Sequence, residues 1–289
     1  MIYLLFLLST FSGVLSIALS KVYRKPIEDD HFADTLYYAI SVPAAVLYFA
    51  AMCGFSFKVN LITLVYSAIF SFVCYGAVFF QLHALHETSL VNVSIFSSGG
   101  SVIVSSIAGI LFFKESISVK SAIGLFFTLV SISVPYFASK KHGTSLKGLM
   151  FCLLLFFNSG LARIIMKLYQ ETPGCMNENI FCFYTNVFLM PFFVLMHKKS
   201  LFDKSTYRNI LKYKKSALLV ALATLTSNFS TLVSLIIVGK VDLLFSPVFG
   251  PPLSICTNFL FDTIVFKEKI KKESIISIVF AVVAMLLLV

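Results

Sequence analysis

This sequence has few charged residues, no tryptophan and no cysteine pattern typical of metal binding. Only 12% of its 289 residues are charged, whereas soluble domains carry about 25%. That composition excludes most soluble enzymes. The six cysteines form no C-x-x-C pair, so common zinc and redox motifs are absent and we expect no metal, no disulfide and no cofactor. The sequence also lacks a nucleotide-binding motif, which argues against direct use of ATP.

The chain is instead rich in long apolar runs. Hydrophobic residues make up 58% of it, and the mean hydropathy is +0.94. A membrane-spanning helix needs about 20 apolar residues, and lipid forces the backbone to satisfy its own hydrogen bonds. We therefore predict an all-α polytopic membrane protein with ten transmembrane helices. The runs cover residues 2–22, 35–55, 61–85, 90–113, 119–138, 147–168, 180–197, 216–238, 243–266 and 274–289.

An internal repeat divides these runs into two sets of five. Residues 113–117 (FKESI) recur at 266–270 (FKEKI), and the same offset of 153 pairs Phe127 with Phe280. Because five is odd, the second set must enter the membrane from the opposite side. The repeat is therefore predicted to be inverted, which is typical of secondary transporters with a solute site near the midplane.

A looser match opens each half, where Ser12-Gly13 corresponds to Ser159-Gly160. We assign residues 1–138 to the first five-helix repeat and residues 139–289 to the second.

At this point the chain resembles a known family. Two five-helix repeats, each with an apolar-Lys-Glu turn between its fourth and fifth helices, resemble the EamA-like transporters of the drug/metabolite transporter superfamily. The turns are residues 111–115 (LFFKE) and 264–268 (IVFKE), with Lys114 and Lys267 where the family has glycine. The resemblance covers essentially the whole chain. It implies a secondary transporter, often an exporter, of small metabolites, amino acids or drugs.

The basic residues bear on orientation rather than on nucleic acid. The net charge is +10, but no basic helix or stacking motif accompanies it, so nucleic-acid binding is not expected. Of the 23 Lys and Arg, 17 follow odd-numbered helices, which places both termini outside by the positive-inside rule. The usual arrangement of the resembled family has both termini inside. Short loops favour a bacterial inner membrane.

Small and polar residues spaced by four form a stripe on the fourth helix and another on the ninth. The stripes contain Ser97, Ser101, Ser105, Gly250, Ser254 and Asn258. Spacing of four keeps each set near one helix face. Such stripes serve either close helix packing or a solute cavity. The interruptions Ser98-Gly99-Gly100 and Gly250-Pro251-Pro252 occupy corresponding places, and such breaks are typical of transporter sites.

Polar residues within other runs are further candidates. Asn158 and Asn228 lie mid-span and either bond between helices or line a cavity. Arg163 either extends to the membrane surface or binds an anionic or zwitterionic solute, and Lys167 is expected to extend to the surface. Two roles compete for Asp262, a proton-coupling carboxylate and an interfacial anchor.

Other motifs are expected to be structural. His83, His86 and Glu87 are interpreted as polar interface residues rather than metal ligands, and Glu115 and Glu268 as helix-capping carboxylates.

The predicted function is therefore transport of a small organic solute by alternating access, with the lipid bilayer as the other partner and a monomeric or homodimeric assembly. Alternatives are a lipid-linked sugar flippase, a nucleotide-sugar carrier and a non-transporting membrane scaffold. An intramembrane enzyme is not favoured, because no nucleophile–base pair is apparent.

Overall fold

A computed structural model describes residues 2–24, 26–27, 30–87, 90–139, 146–201, 212–241, 245–264 and 272–287. Over these residues the chain forms helices joined by turns and contains no strand, which confirms the all-α prediction. Every predicted apolar run contains one helix. In chain order the helices are α1 (Ile2–Arg24), α2 (Asp30–Met52), α3 (Leu61–Glu87), α4 (Leu90–Leu111), α5 (Val119–Ser139), α6 (Leu146–Glu171), α7 (Glu178–Leu201), α8 (Lys214–Val238), α9 (Phe245–Ile264) and α10 (Lys272–Leu286).

Six of the helices are long and apolar enough to cross a membrane, counted over the described ranges. Their apolar segments are Ile2–Ser20, Phe32–Met52, Leu61–Gln81, Leu146–Glu171, Glu178–Leu195 and Lys214–Val238. Shorter apolar segments lie in α4, α5 and α10. The fold is therefore consistent with an integral membrane protein.

Helix α6 illustrates how the outer surface suits lipid. Its exposed face carries Met150, Phe157 and Leu161, which are 52%, 61% and 44% exposed. The opposite face includes the buried residues Cys152 and Leu155. Large apolar side chains on the outside, at spacings of four and seven, form one continuous stripe on a helix. A bilayer solvates such a stripe, whereas water does not.

Helix α2 is shifted toward the N-terminus relative to the predicted run 35–55. It begins earlier because acidic residues at a helix start are favoured by the helix dipole. It ends earlier because Gly54 and Phe55 adopt φ values of 59° and 54°. The Gly54 N–H donates to the Ala51 carbonyl and the Phe55 N–H to the Ala50 carbonyl, both at 2.9 Å. These two bonds form a Schellman cap, which terminates a helix.

Helix α4 also ends before the predicted residue 113. The Phe113 N–H donates to the Ala108 carbonyl at 3.4 Å, and the Glu115 N–H donates to the Gly109 carbonyl at 3.0 Å. Between them, Lys114 has a φ of 54°. This is the left-handed region, which glycine adopts most easily.

The chain divides into two compact units. Unit 1 comprises Met1–Thr10, Val73–Glu171 and Leu235–Val289, and unit 2 comprises Phe11–Phe72 and Thr172–Ser234. Each unit contains segments from both sequence halves, because the unit bounds fall within α1, α3 and α8. The repeat boundaries at residue 138 describe the sequence rather than the packing, and they stay a prediction.

Packing in unit 1 includes α5 against α10. The rings of Phe127 and Phe280 stack with centroids 5.9 Å apart, and the Ser277 hydroxyl donates to the Ser131 carbonyl. As the residue number rises along α5, it falls along α10, so the two helices are antiparallel.

Unit 2 has its own apolar core where α1, α2 and α8 meet. Tyr23, Leu36 and Val220 are fully buried there, and the Tyr23 ring stacks on the Tyr37 ring at 6.0 Å. Buried aromatic rings of this kind fix the contacts between neighbouring helices.

Candidate functional site

The serine stripe on α4 is buried and hydrogen-bonded. Ser101 and Ser105 are 8% and 0% exposed. The Ser101 hydroxyl donates to the Ser98 carbonyl at 2.8 Å, and the Ser105 hydroxyl donates to the Ser101 carbonyl. The carbonyl of Ser97 accepts from the Ser159 hydroxyl of α6 at 2.8 Å. In this arrangement the stripe supports helix packing, and its contact with a solute stays a prediction.

Close approach of α4 and α6 explains two glycines of this region. A methyl group added at Gly100 would lie 1.9 Å from the carbonyl oxygen of Phe156, and one added at Gly160 would lie 2.3 Å from Cβ of Val104. No side chain fits at either position without moving a helix. Small residues let transmembrane helices approach this closely. The glycines therefore place the α6 polar residues beside α4.

Asn158 bonds to a neighbouring helix, one of the two roles expected for it. Its side-chain Nδ2 donates to the Val73 carbonyl of α3 at 2.9 Å. A methyl group at Gly76 would lie 3.1 Å from its Oδ1. The amide thus joins α6 to α3 inside unit 1.

The structure corrects the expectation that Lys167 extends to the membrane surface. It is 7% exposed, and its ammonium group donates to the carbonyl of Val241 at 3.1 Å and that of Val238 at 3.4 Å. It also pairs with Glu171 at 3.3 Å. A cation at a helix C-terminus is stabilised by the helix dipole, so Lys167 caps the end of α8.

Arg163 lies one turn before Lys167 and is close to the Gly-Pro-Pro segment of α9, which is helical throughout Phe245–Ile264. Its Nη2 atom lies 3.9 Å from the position of a methyl group at Gly250, and the Phe6 ring is 3.8 Å from the same position. The next two residues, Pro251 and Pro252, lack N–H groups, so two carbonyls of the preceding turn lose their helical donors. A guanidinium in general can bind a carboxylate or phosphate with two parallel hydrogen bonds.

The second stripe is described only in part. Gly250 and Ser254 lie on α9 and are partly exposed. The side chains of Asn258 and Asp262 lie outside the described residues, so their predicted roles stay predictions.

Unit 2 contains an amide pair that the sequence analysis found only in part. The Asn186 Nδ2 of α7 donates to the Cys182 carbonyl at 2.8 Å and to Oδ1 of Asn228 at 3.4 Å. The Asn228 Nδ2 donates to the Thr224 carbonyl of α8 at 2.9 Å. Asn186 was not predicted, although a lone amide at the centre of the seventh run was a usable signal.

The remaining polar motif shows no metal arrangement over the described part of the chain. The Nδ1 atom of His83 lies 2.9 Å from the Phe79 carbonyl, and Glu87 pairs with Lys147 at 3.6 Å. The side chain of His86 and all of Glu268 lie outside the described residues.

All six cysteines are free thiols. Cys53 and Cys175 lie in turns outside the apolar segments, and burial raises the pKa of both thiols. A raised pKa lowers the thiolate fraction at neutral pH, and the thiolate is the nucleophile. Neither thiol therefore has the character of a catalytic cysteine.

Comparisons with known proteins establish the fold and no more. No family model matches the chain, and no curated protein matches it. A solved structure described only as "Crystal structure of protein" is 12% identical and superposes with a TM-score of 0.68 over 98% of this chain and 95% of that chain. At that identity the likeness indicates a shared fold.

Proposed function

We propose that this chain is a secondary transporter that moves a small organic solute across a membrane by alternating access. The proposal includes ten membrane-spanning helices arranged as two inverted five-helix repeats, as in EamA-like transporters. It also includes a bacterial inner-membrane location and export as the direction. Alternating access needs two similar halves that can rearrange around a solute site.

The contact between α5 and α10 carries this proposal. Phe127 and Phe280 correspond in the sequence repeat, and their rings stack on each other at 5.9 Å. A residue that contacts its own counterpart lies next to a two-fold axis, because a two-fold contact is self-complementary. The antiparallel direction of α5 and α10 fits an axis that inverts one half relative to the other.

Two further pairs of contacts follow the same rule. In unit 1, α4 packs on α6 at Gly100, while Gly250 of α9 lies close to Phe6 of α1. Each contact joins the fourth helix of one half to the first helix of the other. The fourth helix of each half thus contacts the first helix of the other half, and this reciprocity supports the repeat.

The third and first helices are paired in both directions as well. Asn158 of α6 donates to the Val73 carbonyl of α3 in unit 1. In unit 2, the Ser16 hydroxyl of α1 donates to the Ala223 carbonyl of α8 at 2.8 Å. These reciprocal contacts support a repeated architecture in which the helices that bear polar residues occupy equivalent positions.

Solute flux into proteoliposomes tests the proposal. The panel contains amino acids, nucleosides, sugars and cationic dyes, each measured with and without a pH gradient. We expect saturable uptake of one class above protein-free liposomes. Folded protein that transports none of the panel would favour a lipid flippase or a scaffold.

Proton coupling through Asp262 is tested in the same system. A proton-coupling role for Asp262 predicts that Asp262→Asn abolishes the flux that a pH gradient drives, in a protein that still folds. The matched control is Glu171→Gln, because that carboxylate lies at a helix end and is 51% exposed. If Asp262→Asn retains the flux that a pH gradient drives, that result would favour the role of interfacial anchor for Asp262.

Orientation is tested separately with a C-terminal fluorescent-protein or phosphatase fusion. The charge distribution predicts that both termini lie outside. A fusion with phosphatase activity and no fluorescence would support this orientation, and the opposite result would support the usual arrangement of the resembled family.

A further inference from the structure

The amide pair Asn186–Asn228 lies at mid-depth in the apolar segments of unit 2. Asn186 is at the centre of the segment Glu178–Leu195, and Asn228 is close to the centre of Lys214–Val238. Helix α1 packs against α8 at the same level, since a methyl group at Gly13 would lie 3.1 Å from the Ser230 hydroxyl. The amides therefore join α7 to α8 deep in the apolar region, and α1 contacts α8 two residues further along at Ser230.

The pair leaves hydrogen-bonding capacity unused. An asparagine side chain offers two N–H donors and one carbonyl acceptor. Asn186 uses both donors, on the Cys182 carbonyl and on Oδ1 of Asn228. Asn228 uses one, on the Thr224 carbonyl. Oδ1 of Asn186 and the second N–H of Asn228 thus have no partner among the residues that the structure describes.

That unused capacity is costly where it lies. Asn186 is only 9% exposed. A polar group without a partner is unfavourable in an apolar segment, because hydrocarbon offers no donor or acceptor in compensation. A ligand that supplies one donor and one acceptor would recover this free energy, so the pair is suited to binding.

The surroundings of the pair supply no charge. The neighbouring hydroxyls are already bonded within their own helices, with Thr185 donating to the Phe181 carbonyl at 2.9 Å and Thr224 to the Val220 carbonyl at 2.8 Å. Charged residues of the unit 2 segments lie toward the helix ends and not at this depth. They are Asp34, Glu178, Lys214 and Lys215. An ionised ligand group would therefore lack a counter-charge at this depth.

We propose that Asn186 and Asn228 form a binding site for the carboxamide or lactam group of a polar solute. Asn186 Oδ1 accepts a hydrogen bond from the ligand N–H, and the second N–H of Asn228 donates to the ligand carbonyl. A carboxamide presents its donor and its acceptor on separate atoms, as two separate side chains require. Movement of the bound solute across the membrane rests on the proposed transport function, whereas binding of the solute can be measured independently of transport.

Equilibrium binding to the full-length protein in lipid nanodiscs tests the site. The probes are radiolabelled nicotinamide, glutamine and uracil, compared with nicotinate, glutamate and 1,3-dimethyluracil. We expect saturable binding of at least one amide or lactam probe, at least tenfold tighter than its counterpart. Asn186→Leu and Asn228→Leu should each weaken that binding at least tenfold.

A matched control lies on the same helix as Asn228. The Thr226 hydroxyl is bonded to carbonyls of its own helix at 3.0 Å, so Thr226→Val should leave probe affinity unchanged. Folding of each variant is followed by size-exclusion chromatography and thermal unfolding. Asn186→Ser replaces Asn186→Leu if the latter does not fold, and it should also weaken binding because the hydroxyl is too short to reach the same ligand atom.

Three results would overturn the site. They are absence of saturable amide or lactam binding to folded wild-type protein, equal affinity for the counterparts, and unchanged affinity in a folded Asn186 variant. If both Asn variants transport a solute as fast as wild type does, the site is overturned but the transport function is not. If the wild-type protein binds an amide probe, the variants abolish that binding and the protein transports no solute, the transport function is overturned but the site is not.

Discussion

Replacing Lys114 with glycine should stabilise the protein. Lys114 has a φ of 54° and is exposed. The left-handed conformation costs a non-glycine residue about 1–2 kcal/mol. Glycine avoids that cost but loses up to about 1 kcal/mol more backbone entropy on folding. The difference favours Lys114→Gly by about 0.5–1 kcal/mol, which raises the folded-to-unfolded ratio about two- to fivefold.

The measurement is a reversible unfolding titration with SDS in mixed micelles, followed by the helical circular-dichroism signal. Lys114→Ala is the matched control, because alanine removes the lysine side chain and keeps the left-handed strain. We expect the control to be no more stable than wild type. Equal stabilisation by alanine would trace the effect to the side chain, and a less stable glycine variant would refute the argument from backbone strain.

Three further changes have directions that the structure fixes. Gly100→Ala should destabilise the protein by about 1–3 kcal/mol through overpacking against Phe156. The control Gly99→Ala should be neutral or stabilising, because its methyl group would lie 3.5 Å from the Phe156 ring. The same SDS titration compares the two variants, and equal effects on stability would contradict the close approach of α4 and α6. Lys167→Met should cost about 1–3 kcal/mol, because the carbonyls of Val238, at the end of α8, and Val241, just after it, lose a buried donor. The exposed control Lys240→Met should leave stability unchanged. A Lys167→Met protein as stable as wild type in that titration would contradict the capping role. Because burial raises the pKa of Cys175, its thiolate fraction is low at neutral pH and grows as pH rises. In a variant without the other five cysteines, maleimide should label Cys175 more slowly than free cysteine at pH 7, and the labelling rate should still be rising at pH 9. A labelling rate that levels off below pH 8 would contradict the raised pKa.

The helices could be predicted because their signal is local. Apolar runs of about 20 residues identify helices whatever they pack against. The ends could not be predicted as well, because they depend on backbone bonds such as the Schellman cap at Gly54. The predicted run 35–55 begins after Asp30, although a helix start tolerates an acidic residue.

The site was harder to predict because it depends on contacts between distant residues. Arg163 and Gly250 are far apart in sequence, and only the tertiary structure of unit 1 brings the Arg163 guanidinium close to Gly250. Lys167 was expected at the membrane surface because it lies near a helix end. Only the tertiary structure places the carbonyls of Val238 and Val241, at and just after the end of α8, within its reach.

Hydroxyl stripes and amides carry different information about function in an apolar protein. A serine hydroxyl can donate to a carbonyl one turn back in its own helix, as Ser101 and Ser105 do, so a stripe of serines needs no ligand and is compatible with packing alone. An asparagine has two donors and an acceptor, which its own helix cannot satisfy together. Asn186 and Asn228 pair with each other and still have unused capacity over the described part of the chain. Paired amides at mid-depth are therefore a stronger indication of a solute site than a stripe of small hydroxyl residues.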